Sequence, residues 1–518
     1  MFNIKGNAVK VLAKSLIVSA LVSGFLIRVL STLRYTTFFY YDQARDAEVY
    51  AKMWQGILPI LGPSASVGGY HLPPLYYYLV FPFTIFGSEP VFTVIPNALF
   101  SFLSIPLLIY LVYQLLENVE NSKRLLLSGL AGFWYSLIFP EIFISTFHWN
   151  PSPTCFFLFG FTLLYKCQLE NNFSGIKEVF AWILYGITLA VLISLHSTNL
   201  FVMPVVFVTS SLFFIYKNRR NPKKYWLPAV SVLSAFVALL PYWRGEIIRG
   251  WRNSKEILMT LIQSSNEAGD SSIWQRISRL VFNYFELGKQ AYFTGDSWLN
   301  ILIAIVFLSI GLYYGFTKFK GNKTILLFLS FTWIVYLYAA SNYQGIYYIH
   351  YKLLILVAPI ILAIASLAYL DVAKKTERWV SGLLVLSILV SLSINLNFDY
   401  QYLSSKYSTN RLINTADTIE IFKQLPEKST VCTFDPKPRG WMNEYQPYIY
   451  IDKYVTNKKI KIVRSLCKSG QYLVVTKFYM QQRTDQLFPV FNVYPNQVLY
   501  KKSRRFLETP VADVYVLK

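Results

Sequence analysis

The 518-residue chain is 54% hydrophobic and 18% aromatic with a mean hydropathy of +0.38, which excludes an ordinary soluble globular protein and points to a polytopic membrane protein. Its net charge of +22 comes with no nucleic-acid-binding motif, so it reads as lysine and arginine in cytoplasmic loops with affinity for anionic lipid. No P-loop, nucleophile elbow, zinc-ligand spacing, Rossmann glycine pattern or internal repeat stands in the sequence.

The first apolar run, 11–33, follows Lys5 and Lys10 and contains Lys14. It is too long for a signal-peptide core and has no clear cleavage site, so it reads as an uncleaved first transmembrane helix. Arg28, near its far end, either snorkels outward or faces a cavity. Then comes Tyr41-Asp42-Gln43-Ala44-Arg45-Asp46-Ala47-Glu48-Val49-Tyr50, with three carboxylates and an arginine within seven positions. In a helix, Asp42, Arg45 and Asp46 share one face. Asp42 also suits an N-cap. A carboxylate held there at a membrane surface can accept a proton or orient a hydroxyl. A polar loop tethered to the bilayer by Trp and Tyr accounts for the spacing equally well.

The stretch continues through Gly62-Pro63 and His71-Leu72-Pro73-Pro74 to Leu75-Tyr76-Tyr77-Tyr78. Asp-x-x-Arg-x-Ala-Glu, Gly-Pro and x-Pro-Pro-Leu-Tyr-Tyr after a first transmembrane helix resemble the first outer loop of the GT-C membrane glycosyltransferases. The similarity is to the group of protein O-mannosyltransferases and the lipid A aminoarabinose transferase, glycosyltransferase family 39 and its relatives. It covers residues 25 to 90, and beyond that it is one of layout. It implies that Asp42 is the catalytic carboxylate. The family usually has Asp-Glu here; this chain has Asp42-Gln43, so the Glu does not carry over. In the aminoarabinose transferases a Glu just before the Pro helps hold a metal ion. His71 stands in the matching place, which leaves a divalent metal at His71 open. Asp46 is the second candidate catalytic carboxylate, with helix-face pairing as its alternative role. Arg45, Glu48, His71 and Tyr76 are candidates for substrate binding.

Further runs of spanning length lie near 91–116, 125–143, 153–169, 178–196, 198–216, 225–243, 298–316, 324–341, 351–370 and 379–396. With the first run they make about 11 transmembrane helices. The Pro-flanked aromatic segment 74–87 reads as an interfacial helix. Basic residues cluster at Lys123–Arg124, at Lys217, Arg219, Arg220, Lys223 and Lys224, at Lys318, Lys320 and Lys323, and at Lys374, Lys375 and Arg378. With the N-terminus inside, all of these are cytoplasmic, as the positive-inside rule requires. Loops 34–90 and 244–297 are then outside, and so is the tail from 397.

The same arrangement places all four histidines, His71, His148, His196 and His350, on the outer side. His148-Trp149-Asn150-Pro151 reads as a turn anchor, and His196-Ser197-Thr198-Asn199 interrupts an apolar stretch with polar groups that must face protein or a watery cavity. Near neutral pH a histidine can carry a proton, contact a phosphate or bind a metal; packing at the interface is the alternative. In loop 244–297, Arg244, Glu246 and Arg249 stand among Trp243 and Trp251. Arginine forks suit a lipid-linked phosphate, while headgroup anchoring explains them equally well. His196, Arg244, Glu246, Arg249 and His350 complete the substrate-binding candidates.

The tail is richer in charge, with strand-like runs at 431–434, 472–476 and 513–516 and a turn at Asp435–Gly440. The expected organisation is a GT-C-like transmembrane domain, 1–396, and a small extracytoplasmic α/β domain, 397–518. Cys155 and Cys167 lie in or near one apolar segment; Cys432 and Cys467 in the tail are a disulfide or two free thiols.

The function these observations favour is sugar transfer from a polyprenyl-phosphate-linked donor to a glycan, lipid or protein acceptor at the outer face of the inner or plasma membrane. The resemblance implies an inverting displacement. A lipid or glycan transporter or flippase is the alternative, though no interrupted-helix repeat appears and carboxylates are nearly absent from span centres. A non-catalytic envelope assembly protein, with the tail as binding module, is the third class. The orientation is open to test by cysteine labelling from the outer face. Tail positions should label in intact cells, and positions in Lys217–Lys224 only after permeabilisation; the reverse pattern would invert the topology.

Overall fold

The computed structural model describes residues 6–33, 39, 41–65, 68–269, 272–292, 309–341, 348–404, 415–432, 445–463, 468–476, 503–509 and 512–518. In chain order the helices are α1 (Gly6–Leu33), α2 (Tyr41–Met53), α3 (Leu75–Val80), α4 (Val91–Leu115), α5 (Asn121–Ser136), α6 (Phe139–Ser145), α7 (Thr154–Leu169), α8 (Ile176–Leu195) and α9 (Ser197–Lys217). They continue with α10 (Leu227–Ala238), α11 (Leu240–Ile248), α12 (Arg252–Gly269), α13 (Ile273–Tyr292), α14 (Lys323–Ser341), α15 (Ala358–Tyr369), α16 (Lys375–Ser404), α17 (Thr415–Gln424) and α18 (Tyr445–Tyr450).

The protein is a polytopic α-helical membrane protein with a small C-terminal α/β region. Among the described residues six helices are long and apolar enough to cross a bilayer, or up to eight if each of two bent pairs is one span. The bends, 57° between α5 and α6 and 61° between α10 and α11, fall inside runs that the sequence presents as continuous. Each has a proline at the second residue of the following helix, Pro140 and Pro241. Proline lacks the amide hydrogen an interior turn needs but fits a helix start, so the chain stops and begins again there. Runs 153–169 and 351–370 yield α7 and α15, with 16 and 12 residues, shorter than a straight crossing. Run 298–316 lies mostly outside the described residues. The described part of segment 244–297 is mainly helical rather than a loop, carrying the end of α11 and then α12 and α13. The segment 74–87 forms α3 and a 3-10 turn, Phe81–Phe86.

The bundle core is aromatic and aliphatic: Trp134, Trp182, Tyr135, Tyr185, Phe159 and Phe161 are fully buried. The basic segments gather at one end of it. Lys217 donates to the Leu169 carbonyl, Lys224 to Glu178, Asn118 to the Lys320 carbonyl and Lys123 to the Ala368 carbonyl. The four histidines lie at the opposite end, on loops and helix boundaries that pack against α2, α9 and α12.

The C-terminal region holds a five-stranded sheet of β1 (Thr430–Cys432), β2 (Lys461–Val463), β3 (Tyr472–Thr476), β4 (Arg504–Glu508) and β5 (Ala512–Val516), in the order β2-β1-β3-β5-β4. β1 runs parallel to β2 and β3; β5 runs antiparallel to β3 and β4. β2 and β4 carry too little apolar alternation to read as strands from the sequence. The transmembrane helix α16 continues past 396 to Ser404. Cys432 is disulfide-bonded, Cys155 and Cys167 are free, and Cys467 and the Asp435–Gly440 turn lie outside the described residues. The small domain's core, with Ile419, Phe422, Tyr450, Ile451 and Val514, closes directly over Ala44 and Ala47 of α2.

Helices α8 and α10 pack closely at Gly186, where an added Cβ would meet the Ser231 carbonyl. Overpacking of this kind costs about 1–3 kcal/mol. Gly186→Val should lower the thermal midpoint in detergent, and an unchanged midpoint would mean that the two helices separate freely.

Candidate functional site

The site begins with α2. The helix starts at Tyr41, so Asp42 sits in its first turn rather than at the N-cap, still where a helix N-terminus favours negative charge. One turn on, Asp46 is buried, 2% exposed, and its Oδ1 accepts from Tyr77 Oη at 2.8 Å and from Arg45 Nε at 2.7 Å. The same guanidinium donates from Nη1 to Asp42 Oδ1 at 2.9 Å and to Ser64 Oγ at 3.3 Å. Burial opposes the Arg45 charge, but Asp46, with Tyr77 and Asp42, more than offsets it and holds the guanidinium above its ordinary value. Asp42 differs from its neighbour: 45% of its side chain is exposed, and Arg45 engages only one of its oxygens. Partial burial pushes its carboxyl up, Arg45 pulls it back, and Asp46 adds repulsion.

Behind Asp46 lies a buried polar layer. His148, 2% exposed, places Nε2 at 3.8 Å from Asp46 Oδ2 and 3.3 Å from Tyr50 Oη. Its Nδ1 is 3.2 Å from the Thr93 carbonyl and 3.0 Å from Tyr76 Oη. A carbonyl only accepts, so Nδ1 carries the hydrogen and Nε2 is left as acceptor for Tyr50. Burial lowers the His148 pKa to about 4 against the pull of Asp46, so the imidazole is neutral near pH 7. Asn97 of α4 donates to Tyr76 Oη and to the Phe147 and Trp149 carbonyls. Tyr76 is fully buried, a support of this layer rather than a surface group.

The remaining candidates fall into separate places. Glu48 lies near Lys52 and near Lys453 of the C-terminal domain, at 3.4 and 3.9 Å. His71 is half-buried; its Nδ1 faces the Gly62 carbonyl, and its backbone is held at N–H and C=O by Asn253. Among the described residues no three His, Cys, Asp or Glu side chains converge, so the side chains present around His71 do not fit a divalent metal. Glu246 is fully buried and its Oε2 accepts from the Ser254 amide, capping the start of α12. Arg244 is exposed and Arg249 half-buried, on the helix whose Gly245 approaches Ile60. Ile60, Ser64 and His71 therefore connect α11 and α12 to Arg45. Arg28 neither snorkels nor faces outward. It is 1% exposed and donates to Ser101 Oγ and to the Gly24 and Ser136 carbonyls, with Ser101 passing the contact on to Glu141.

His196 and His350, far apart in sequence, meet with ring centroids 5.4 Å apart, and His350 lies 3.9 Å from the ring of Trp149. Sequence reasoning missed the supporting role of His148, Tyr50, Asn97 and Trp149. The available signal was the polar series Thr93, Asn97 and Ser101 at helical spacing in an apolar run. A cavity of about 530 Å³ lined by Glu117, Glu170, Lys320 and Asn322 lies at the basic end, the other end of α4 from Asn97, remote from this chemistry.

No protein-family model matches the chain, and no curated protein matches its sequence. Solved structures do match its fold. ArnT from Cupriavidus metallidurans bound to undecaprenyl phosphate superposes with a TM-score of 0.53 at 13% identity, covering 96% of this chain and 97% of that one. Its apo state gives 0.54 at 12% identity, covering 96% of each chain. The fold is GT-C-like.

Hydrogen bonds to charged groups contribute about 1.5–3 kcal/mol, so Tyr77→Phe should destabilise the protein by about that much. Chemical denaturation in detergent would read this, and an unchanged midpoint would show that Arg45 alone satisfies Asp46.

Proposed function

We propose that the protein transfers a sugar from a polyprenyl-phosphate carrier to an acceptor at the outer membrane face, with Asp42 as the catalytic carboxylate. The observation that carries this reading is the asymmetry of the two aspartates. Asp46 is buried and committed to Arg45 and Tyr77, whereas Asp42 is half-exposed with one oxygen uncommitted to Arg45. Arg45 fixes the first oxygen, and the second can accept a hydroxyl proton. The acceptor oxygen attacks the anomeric carbon as Asp42 takes its proton. The bond from that carbon to the phosphate oxygen breaks, and its electron pair leaves with the phosphate. A single displacement of this kind inverts the anomeric centre.

The leaving phosphate needs cations, and Arg244 and Arg249 flank Gly245 and Glu246 on the segment that packs against Ile60. The GT-C-like fold supports the carrier chemistry, since one matching structure is bound to undecaprenyl phosphate. In this reading residues 1–396 form an eleven-span catalytic domain, counting the bent pairs, α7, α15 and the apolar run 298–316 as crossings, and 397–518 an outer domain over α2. The polyprenyl chain lies in lipid beside the helices.

Positioned general bases contribute ~10²–10⁴-fold. In purified enzyme in lipid nanodiscs, Asp42→Asn should lower kcat by about that factor without loss of membrane insertion, and Asp46→Asn by clearly less. Near-normal turnover in Asp42→Asn would remove the mechanism. A base works deprotonated, so the raised Asp42 pKa should set the acid limb of kcat/KM above the ordinary aspartate range. Arg244→Ala and Arg249→Ala should raise donor KM; normal donor use in both would place the phosphate elsewhere.

A further inference from the structure

Three of the four histidines stand in one layer with Trp149, and among the described residues only His148 has polar partners for both ring nitrogens. His350 is 9% exposed and has no hydrogen-bond partner for either nitrogen among the described residues. It is surrounded by rings instead: Trp149 at 3.9 Å, Tyr351 at 4.3 Å, His196 at 5.4 Å and Tyr348 at 5.7 Å between centroids. His196 uses Nδ1 to bind Thr198 at the start of α9, which leaves Nε2 without a partner among the described residues. Its ring also lies 4.9 Å from that of Tyr351.

A ring nitrogen with no protein partner is completed by water or a ligand, so the open nitrogens of His350 and of half-buried His196, side by side against the Trp149 indole, mark a place where a ligand or water completes the bonding. The chemistry narrows the ligand. Burial lowers the pKa of His350 to about 2, with His196 adding to the effect, and that of His196 to about 3. Both are therefore neutral at physiological pH. A neutral imidazole donates from one nitrogen and accepts at the other, which suits hydroxyl groups. It supplies no fixed charge for phosphate or carboxylate, which favour guanidinium or ammonium. The half-buried indole of Trp149 adds a flat apolar surface for ring C–H groups. Trp149 is also tied to the carboxylate end of the site. It follows His148, which lies beside Asp46, and Asn97 holds its carbonyl.

We propose that Trp149, His196 and His350 form a saccharide subsite that takes an uncharged, hydroxyl-bearing sugar ring. The proposal rests on the glycosyl-transfer reading and gives it a substrate class: a neutral sugar, from donor or acceptor, with the phosphate bound elsewhere. His350 is thereby a specificity residue and not a phosphate cation.

The test is direct binding, independent of turnover. Full-length protein in nanodiscs is probed by saturation-transfer difference NMR with methyl glycosides of mannose, glucose and galactose, and with methyl glucuronide. At least one neutral glycoside should receive saturation and the glucuronide should not. His350→Phe keeps the ring and removes its nitrogens, and Trp149→Leu removes the platform; each should weaken the signal at least tenfold. His350→Gln, which retains an amide donor and acceptor, should recover part of it. An unchanged signal in properly folded His350→Phe and Trp149→Leu would overturn the proposal, as would silence of every neutral glycoside with the wild type, or equal binding of the glucuronide. A signal lost in these variants, with no transfer from any donor by the wild type, would leave the subsite standing and reject the transferase reading. In the transfer assay, a KM rise for donor or for acceptor in His350→Phe assigns the ring to one or the other.

Discussion

The end of this protein that carries α2 depends on one guanidinium. Arg45 is held from below by a buried aspartate and holds, in turn, an aspartate that faces the solvent side. Charge-assisted bonds of 2.7 and 2.9 Å fix its plane. The buried partner is further tied by the Tyr77 hydroxyl. Two carboxylates one turn apart would repel if left alone; with the arginine between them they take unequal positions, one structural and one accessible. Everything around α2 maintains that inequality. The loop at Ser64 holds the guanidinium edge, and the layer of His148, Tyr76 and Asn97 backs Asp46.

The same helix is where two cores meet. One face of α2 carries the polar groups, and Tyr50 and Met53 pack against Tyr76, Tyr77 and Leu195. Another presents Ala44 and Ala47 to the C-terminal domain, whose Phe422 and Tyr450 fill the space above them. Small side chains there let the domain approach closely, and Tyr450 reaches on to the Ser88 carbonyl. The C-terminal domain is thus part of the wall behind the aspartates, not an appendage.

A second set of polar groups lies deeper. Arg28, Ser101 and Glu141 form a buried chain along α4, one helical turn from Asn97. Asp399 of α16 is buried nearby, 1% exposed, with neither oxygen bonded to a described group. Ionisable groups at this depth are costly in a bilayer and persist only in protein or watery surroundings. Their alignment with Asn97 makes α4 a polar column in an otherwise apolar bundle.

The sequence by itself determined the membrane class, because an apolar run of about 20 residues has few other stable solutions. It also separated the basic segments from the histidines, and it marked the Asp42–Glu48 stretch by charge density alone. It showed β1, β3 and β5 by apolar alternation. It did not show the bends before Pro140 and Pro241, since hydropathy averages over a break that a single missing amide hydrogen creates. Nor did it rank the aspartates by environment: Asp42 and Asp46 differ little as residues, and only the packing of Tyr77, Arg45 and His148 buries one and leaves the other open. His196 and His350 are neighbours only because the elbow between α8 and α9 meets the turn at Ile349–Lys352. Their neutrality follows from burial, which is a property of the assembled fold. Local spacing fixed which residues were available; tertiary contact decided which were charged, which were buried and which were left open.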